Sequence, residues 1–331
     1  MSECPETFSG QARITDFGRL IEESRRLCGS GVPPTIAVCA AEDEAALSAV
    51  DEACRSGLAR AVLIGDRTAI TTYMERLGMD AAAYEIVDLR DTLAKAEAAV
   101  RLVREGRAQM LMKGLISTTV FLHPVFRKKG GLSTGRVISH TAVLEMPGAE
   151  RLIVMSDGGI NIAPDYEMKK GIIVNAVFAA RLLNIARPRV ALLSASETAD
   201  PKIASSMDAA HLAAWAKEGL PCAYVDGPLG LDIAVSEEAA KKKQVKSEVA
   251  GRADILIASG IEVGNVIYKS MRQFAGAHAA GIVVGAACPI VLTSRSDTTR
   301  EKVNSIALAG IYASRIGEAH LWNMREDLKR A

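Results

Sequence analysis

Short apolar runs alternate with stretches in which apolar residues recur every three or four positions, and this alternation covers most of the chain. A short apolar run between turn signals reads as a buried strand, and the three-to-four spacing reads as a helix laid against it. The pattern predicts strands at Ile36–Ala40, Ala61–Ile64, Tyr84–Val87, Met110–Lys113, Val137–Leu144 and Leu152–Met155. Five more follow at Val190–Leu193, Ala223–Val225, Ile255–Ala258, Ile282–Val284 and Ile290–Thr293. The clearest helix is Tyr166–Ile185, in which Ile173, Ala176, Val177, Ala180 and Asn184 fall on one face and only the last is polar. Strands alternating with helices build a parallel-rich sheet covered by helices, so the expected fold class is α/β.

A single hydrophobic core stops growing at about 250–300 residues, so 331 residues favour two domains. No repeat or proline-rich linker marks the boundary. The glycine-rich run Lys128–Gly135 breaks the alternation once, and the neighbourhood of Gly281 is the second crossing point. The expected organisation is a discontinuous first domain, 1–133 with 283–331, and a second domain, 134–282.

The charge balance, 40 Lys plus Arg against 39 Asp plus Glu, leaves no basic footprint for nucleic acid or an anionic membrane surface, and directs attention to small-molecule partners. The acidic and polar start of the chain lacks the basic and apolar parts of a secretory signal, and Ile282–Leu292 is too short to span a bilayer; a soluble, cytoplasmic protein is expected. Six cysteines are scattered without a CxxC pair or a histidine at ligand spacing, so reduced thiols and no metal site are expected. The basic run Lys241–Lys246 follows Glu237 and Glu238 and reads as a solvated helix face.

Ligands of open α/β sheets collect at loops that follow strands, and four such loops carry candidate chemistry. After Lys113 and Gly114 come Ser117, Thr118 and Thr119 at a helix start, where hydroxyls and free amides suit a phosphate or where Ser117 or Thr118 simply caps the helix. In Met155–Asp165 two glycines let backbone amides approach a ligand. Val225–Ser236 reads as a glycine- and proline-rich loop with Asp226 and Asp232. The fourth, Thr293–Ser305, places Ser294, Arg295, Asp297 and Glu301 between a strand and a helix. Thr298 and Glu301 fit a capping box, whereas helical geometry turns Glu301 away from the apolar face of Val303, Ile306, Ala307, Gly310 and Ile311, toward cleft or solvent. No hydrolase, zincin, P-loop or dinucleotide fingerprint is present in the sequence.

The segments KGLISTTVFL, TGRVISHTAVLEMPG, INIAPD, VDGPLGLDIAVSEEAA, SEVAGRADIL, IEVGNVIYKS and PIVLTSRSD, in this order, resemble phosphate butyryltransferase and phosphate acetyltransferase. The resemblance runs from about Gln109 to Ala309; before it only the strand and helix rhythm matches. It implies two α/β/α domains of the isocitrate dehydrogenase type with a cleft between them, a homodimer or larger homo-oligomer, and reversible transfer of a short acyl group between coenzyme A and inorganic phosphate. Coenzyme A is then a substrate, and no permanently bound cofactor or metal is implied.

The resemblance also assigns residues. Ser294 and Arg295 match the family's catalytic pair, and its acid falls on Glu301, with Asp297 as rival base. Phosphate or acyl phosphate is implied near Ser117, Thr118 and Thr119, and nucleotide contacts near Asn161 and Asn265. His123 stands where the family usually carries arginine, which removes a permanent positive charge. A base is needed because a thiol is mostly protonated at neutral pH, and Ser294, Arg295 and helix N-terminal amides would stabilise the charge that develops on the carbonyl oxygen and the leaving phosphate. The butyryl reading leads; the alternatives are a phosphate acetyltransferase, or a catalytically weak acyl-CoA or acyl-phosphate binding protein.

Overall fold

The computed structural model describes residues 11–29, 31–294 and 296–316. From its start the chain forms α1 (Phe17–Cys28), β1 (Thr35–Cys39), α2 (Glu44–Arg55), β2 (Arg60–Gly65), α3 (Arg67–Leu77), β3 (Glu85–Asp88), α4 (Thr92–Arg104), β4 (Met110–Lys113) and α5 (Thr118–Phe126). It continues through β5 (Ser139–Glu145), β6 (Ile153–Ser156), α6 (Tyr166–Leu182), β7 (Arg189–Leu193), α7 (Ala204–Gly219), β8 (Tyr224–Leu229), α8 (Leu231–Val235), α9 (Glu237–Lys242), β9 (Ile255–Ile257) and α10 (Ile261–Ala275). It closes with β10 (His278–Val284), β11 (Ile290–Val291) and α11 (Thr299–Ser314). Each predicted strand has its counterpart, and the α/β class follows.

Two compact units result. The first holds residues 17–138 and 279–316, and the second holds 11–16 and 139–278. Residues 11–16 join the second unit through Arg13, which pairs with Asp254 at 2.7 Å, through Ile14 N, which donates to the Leu183 carbonyl, and through Asn184, whose amide donates to the Ala12 carbonyl. Asn184 itself lies beyond α6 at φ 59°, a left-handed conformation that asparagine tolerates, and so ends the helix that the sequence pattern extends to Ile185.

In the first unit the strand order is β3-β2-β1-β4-β11-β10, parallel except for the β10–β11 pair. Ile36, Leu63, Ile64 and Leu111 are fully buried along these strands, and each such side chain contributes about 1.5–3 kcal/mol. The chain runs outward from β1 to β3 and then returns to place β4 on the other side of β1. That reversal is a switch point, the place in an open α/β sheet near which ligands collect beyond the strand ends. Asp43, Asp66, Asp91 and Ser117 cap α2 to α5 and start each helix directly after its loop.

In the second unit the order is β5-β6-β9-β7-β8, with β5 antiparallel to β6 and the rest parallel. The segment that reads in sequence as one long loop, Val225–Ser236, is instead the end of β8 followed by α8. Proline interrupts a ladder from within but is tolerated on an edge, and β8 is the edge strand, paired with β7 alone, so Pro228 fits. Lys241, Lys242 and Lys243 pair with Glu237, Glu238 and Glu197 on an exposed face, as the charge pattern suggests, although α9 stops at Lys242.

Candidate active site

The loops after β4 and β11 are brought together by strand register. Ile290 pairs with Leu111 and Val291 with Met112 in parallel, so segments 114–117 and 292–298 leave the same end of two adjacent strands. The β1 loop joins them: Gly114 N and Leu115 N donate to the carbonyls of Cys39 and Ala40, both at 2.8 Å. A side chain at 114 would put its Cβ 2.1 Å from the Ala40 oxygen, so only glycine permits this approach.

Ser117 caps α5, accepting from Val120 N at 3.3 Å, while Thr118 is half-buried and Thr119 exposed in the first turn. That turn contains no acid, in contrast to α6, α10 and α11, which open with Glu167, Glu262 and Glu301. The first turns of α1, α3, α4 and α7 also lack an acid, although Asp66 and Asp91 cap α3 and α4; α5, capped by Ser117, has no carboxylate in its own cap or first turn to offset its amides and dipole. Lys113 is buried, and its ammonium donates to the carbonyls of Gly114 at 3.1 Å and Ile116 at 3.2 Å. His123 is exposed one turn along α5; its Nδ1 lies 3.4 Å from the Arg127 guanidinium, which also pairs with Glu97 at 2.8 Å.

The segment before α11 is tightly knit. Ser294 N donates to Asp297 Oδ2 at 2.6 Å, Asp297 N donates to the Ser294 carbonyl, and the Ser294 and Ser296 hydroxyls lie 3.0 Å apart. Lys302, buried, donates its ammonium to the Asp297 carbonyl. Arg295 lies outside the described residues. The capping box is formed: Thr298 N and Oγ1 donate to Glu301 Oε2 at 2.8 and 3.1 Å, and Glu301 N donates to Thr298 Oγ1.

Of the two directions expected of Glu301, cleft or solvent, open solvent is excluded: Glu301 is 4% exposed. A helix with one wet face would turn Glu301 to water. Instead α11 is buried from Glu301 through Tyr312, with β4 and β11 on one side and α1 and α2 on another, so no face is left for water.

In the second unit the parallel pairing of β6 with β9, Ser156 opposite Ile257, likewise brings the loop at Asn161 to the start of α10, and Asn265, expected in a loop, lies in that helix. Asn265 donates from Nδ2 to the Gly158 carbonyl at 3.0 Å. Asn161 is buried and bound to Asp157 through both its backbone N and its Nδ2. The structure thus groups Ser117, Thr118, Thr119, His123, Ser294, Asp297 and Glu301 in the first unit, and Asn161 and Asn265 in the second. Sequence reading passed over Asp157. Its signal was an aspartate directly before two glycines, the composition of a turn in which the side chain captures following amides.

Another group missed in sequence is the ion pair of Glu42, in the β1 loop, with Lys95 at 2.6 Å; Glu42 also accepts from Asp66 N. Beside it the buried Cys39 thiol is pushed up to about 12, chiefly by burial. Among the described residues Cys28, Cys39, Cys54, Cys222 and Cys288 are free thiols, no histidine, cysteine and carboxylate cluster fit for a metal occurs, and no helix is long and apolar enough to cross a membrane.

Comparison with known proteins adds the family. A family profile described as phosphate acetyl/butaryl transferase matches residues 90–310. A phosphate butyryltransferase of Clostridium beijerinckii is 42% identical over 281 residues, covering 85% of this chain and 93% of the relative. A phosphate acetyltransferase of Rhizobium meliloti is 38% identical over 305 residues, covering 92% and 95%. Among solved structures, a branched-chain phosphotransacylase from Enterococcus faecalis V583 superposes with a TM-score of 0.75 at 33% identity, covering 84% of this chain and 99% of that one. With its motifs in order and its switch-point loops built as described, this chain belongs to the phosphate acetyl/butaryl transferase family.

Proposed function

We propose that this protein is an acyltransferase that moves a short acyl group reversibly between coenzyme A and inorganic phosphate, with butyryl-CoA or a chain of similar length as substrate. The observation that carries the reading is the register of β4 against β11, which sets the acid-free start of α5 beside the Ser294–Glu301 segment. In the acyl-CoA direction a phosphate oxygen attacks the thioester carbonyl, the carbon–sulfur bond breaks, and the departing thiolate takes a proton. In reverse the thiol loses that proton and its sulfur attacks the acyl phosphate.

Each group has a task in this scheme. The amides and hydroxyls at Thr118 and Thr119 receive phosphate, with the Ser117 side chain already used as the cap. Ser294 and Arg295 stabilise the oxyanion and the phosphate charge. Glu301 exchanges the thiol proton and Asp297 fixes the Ser294 backbone; the reverse assignment of these two acids is the alternative that mutation separates. Arg127, beside His123, supplies part of the positive charge expected of an arginine at 123. Asn161 and Asn265, in the second unit, contact the nucleotide of coenzyme A.

The acetyl reading has its own support in the Rhizobium meliloti relative, which matches 92% of the chain. One methylene more or less is worth about 1–3 kcal/mol in an apolar pocket, so neighbouring chain lengths are both turned over and differ in efficiency. A cytoplasmic homo-oligomer completes the proposal. The test is phosphate-dependent thiol release from acyl-CoA esters of two to about six carbons, a range set by the size of small-molecule pockets; absence of turnover with every ester leaves the binding-protein alternative.

A further inference from the structure

A charged side chain taken out of water is stable when an opposite charge meets it, and buried cations of this chain follow that rule. Lys95 pairs with Glu42 at 2.6 Å, Lys169 with Asp208 at 2.5 Å and Arg315 with Glu23 at 2.7 Å. Lys302 does not. It is 4% exposed, forms no ion pair among the described residues, and its ammonium donates to one uncharged partner, the Asp297 carbonyl. Its place adds a second penalty. Lys302 lies at the end of the first turn of α11, where the helix dipole disfavours a cation, and the Oε2 of the neighbouring Glu301 is taken up by Thr298.

The ammonium is anchored to the segment that leads from β11 into α11. Asp297 N donates to the Ser294 carbonyl at 3.1 Å and Ser294 N donates to Asp297 Oδ2 at 2.6 Å, which closes a turn carrying the Ser294 hydroxyl. Lys302 holds this turn from the helix side and polarises the Asp297 peptide, so the bonds along the turn strengthen one another. An apolar side chain of similar volume would pack at 302 without either penalty, and buried charges replaced in that way leave a fold as stable or more so. A cation kept here against stability is matched by an anion that arrives with the reaction. Phosphate is that anion, and the segment that receives its charge is the one Lys302 holds.

We propose that Lys302 is a positioning residue of the transfer reaction: its ammonium fixes the Ser294–Asp297 turn and places a positive charge beneath it, favouring phosphate and the charge that grows on it without touching either. Inside a protein a charge acts over several ångströms with little screening by salt, so contact is not needed. This role rests on the reading of the preceding subsection that phosphate is a substrate and that Ser294 helps to stabilise its charge.

The experiment compares wild type with Lys302→Met, Lys302→Gln and Lys302→Arg. Methionine fills a similar volume without charge or donor, glutamine keeps a donor without charge, and arginine keeps both. Thiol release is measured against phosphate and against butyryl-CoA, and thermal unfolding is followed with and without inorganic phosphate. The methionine and glutamine variants should lose about 10- to 100-fold in kcat and raise KM for phosphate about tenfold, with KM for butyryl-CoA within about threefold of wild type. Arginine should restore kcat to within about fivefold. Without phosphate the methionine variant should unfold at or above the wild-type midpoint, as loss of an unpaired buried charge requires. A methionine variant that melts lower and weakens both substrates alike marks a structural staple and overturns the proposal. So does a glutamine variant that keeps kcat and KM for phosphate within about threefold of wild type, because glutamine isolates the charge. A wild type that turns over no ester defeats the proposed reaction while phosphate still judges Lys302: a rise in midpoint with phosphate in wild type and Lys302→Arg, absent from Lys302→Gln, supports the role, and an equal rise in all three, or none in wild type, overturns it.

Discussion

Replacing Glu301 by glutamine separates two tasks that one side chain performs. As the last member of the capping box, Glu301 accepts from both Thr298 N and Thr298 Oγ1 through Oε2. A glutamine retains a carbonyl oxygen for these donors, and the motif accepts either residue, so the folded state should lose no more than about 1 kcal/mol. As the proton acceptor, however, a neutral amide is useless, and the chemical rate should fall about 100- to 10,000-fold. Thr298→Ala is the converse perturbation: it removes the cap, costs about 0.5–2 kcal/mol, and leaves the carboxylate, so its rate should fall far less. The assay pairs denaturant unfolding with single-turnover thiol chemistry, which removes product release from the comparison. A Glu301→Gln protein that keeps its rate within about threefold refutes the reasoning and leaves Glu301 a cap alone. Asp297→Asn is then the variant to examine; on the present account it acts through the Ser294 backbone bond and has the smaller effect.

Two further outcomes follow from packing and burial. Gly114→Ala forces a Cβ to within 2.1 Å of the Ala40 carbonyl oxygen, so the β1 and β4 loops must separate; unfolding titrations should show a loss of about 1–3 kcal/mol together with reduced turnover, and an unchanged stability would contradict the packing described. Burial pushes Cys39 and Cys288 from 9.0 to about 12, which lowers their thiolate fraction about a thousandfold, so at pH 8 both should resist alkylation in the folded protein and react once it is unfolded; peptide mass mapping after iodoacetamide checks this, and rapid native labelling of either would contradict it.

The strands were legible because each needs only a short apolar run between turn residues, and this chain supplies such runs throughout. What escaped depended on neighbours distant in sequence. Pro228 argued for a loop because sequence does not reveal that β8 is an edge. Glu301 was turned outward by a periodicity argument that holds for a helix with one wet face, and α11 has none. The two glycines after Asp157 suggest amides facing a ligand, and only the fold shows the amides of Gly159, Ile160 and Asn161 captured by the aspartate. Candidate residues in the loops after β4 and β11 were legible as motifs, whereas their adjacency came from strand order, which is fixed by the whole sheet. The Glu42–Lys95 pair joins residues that no local pattern connects.

The central claim is the reaction itself, and its most direct test is a single stoichiometric measurement. Purified protein is incubated with butyryl-CoA, with and without inorganic phosphate, in the presence of a metal chelator, while free thiol and acyl phosphate are followed together. Thiol should appear only with phosphate, acyl phosphate should form in equal amount, and adding the acyl phosphate and coenzyme A should regenerate the thioester. Thiol release that does not require phosphate, or that leaves a free carboxylic acid in place of the acyl phosphate, would contradict it.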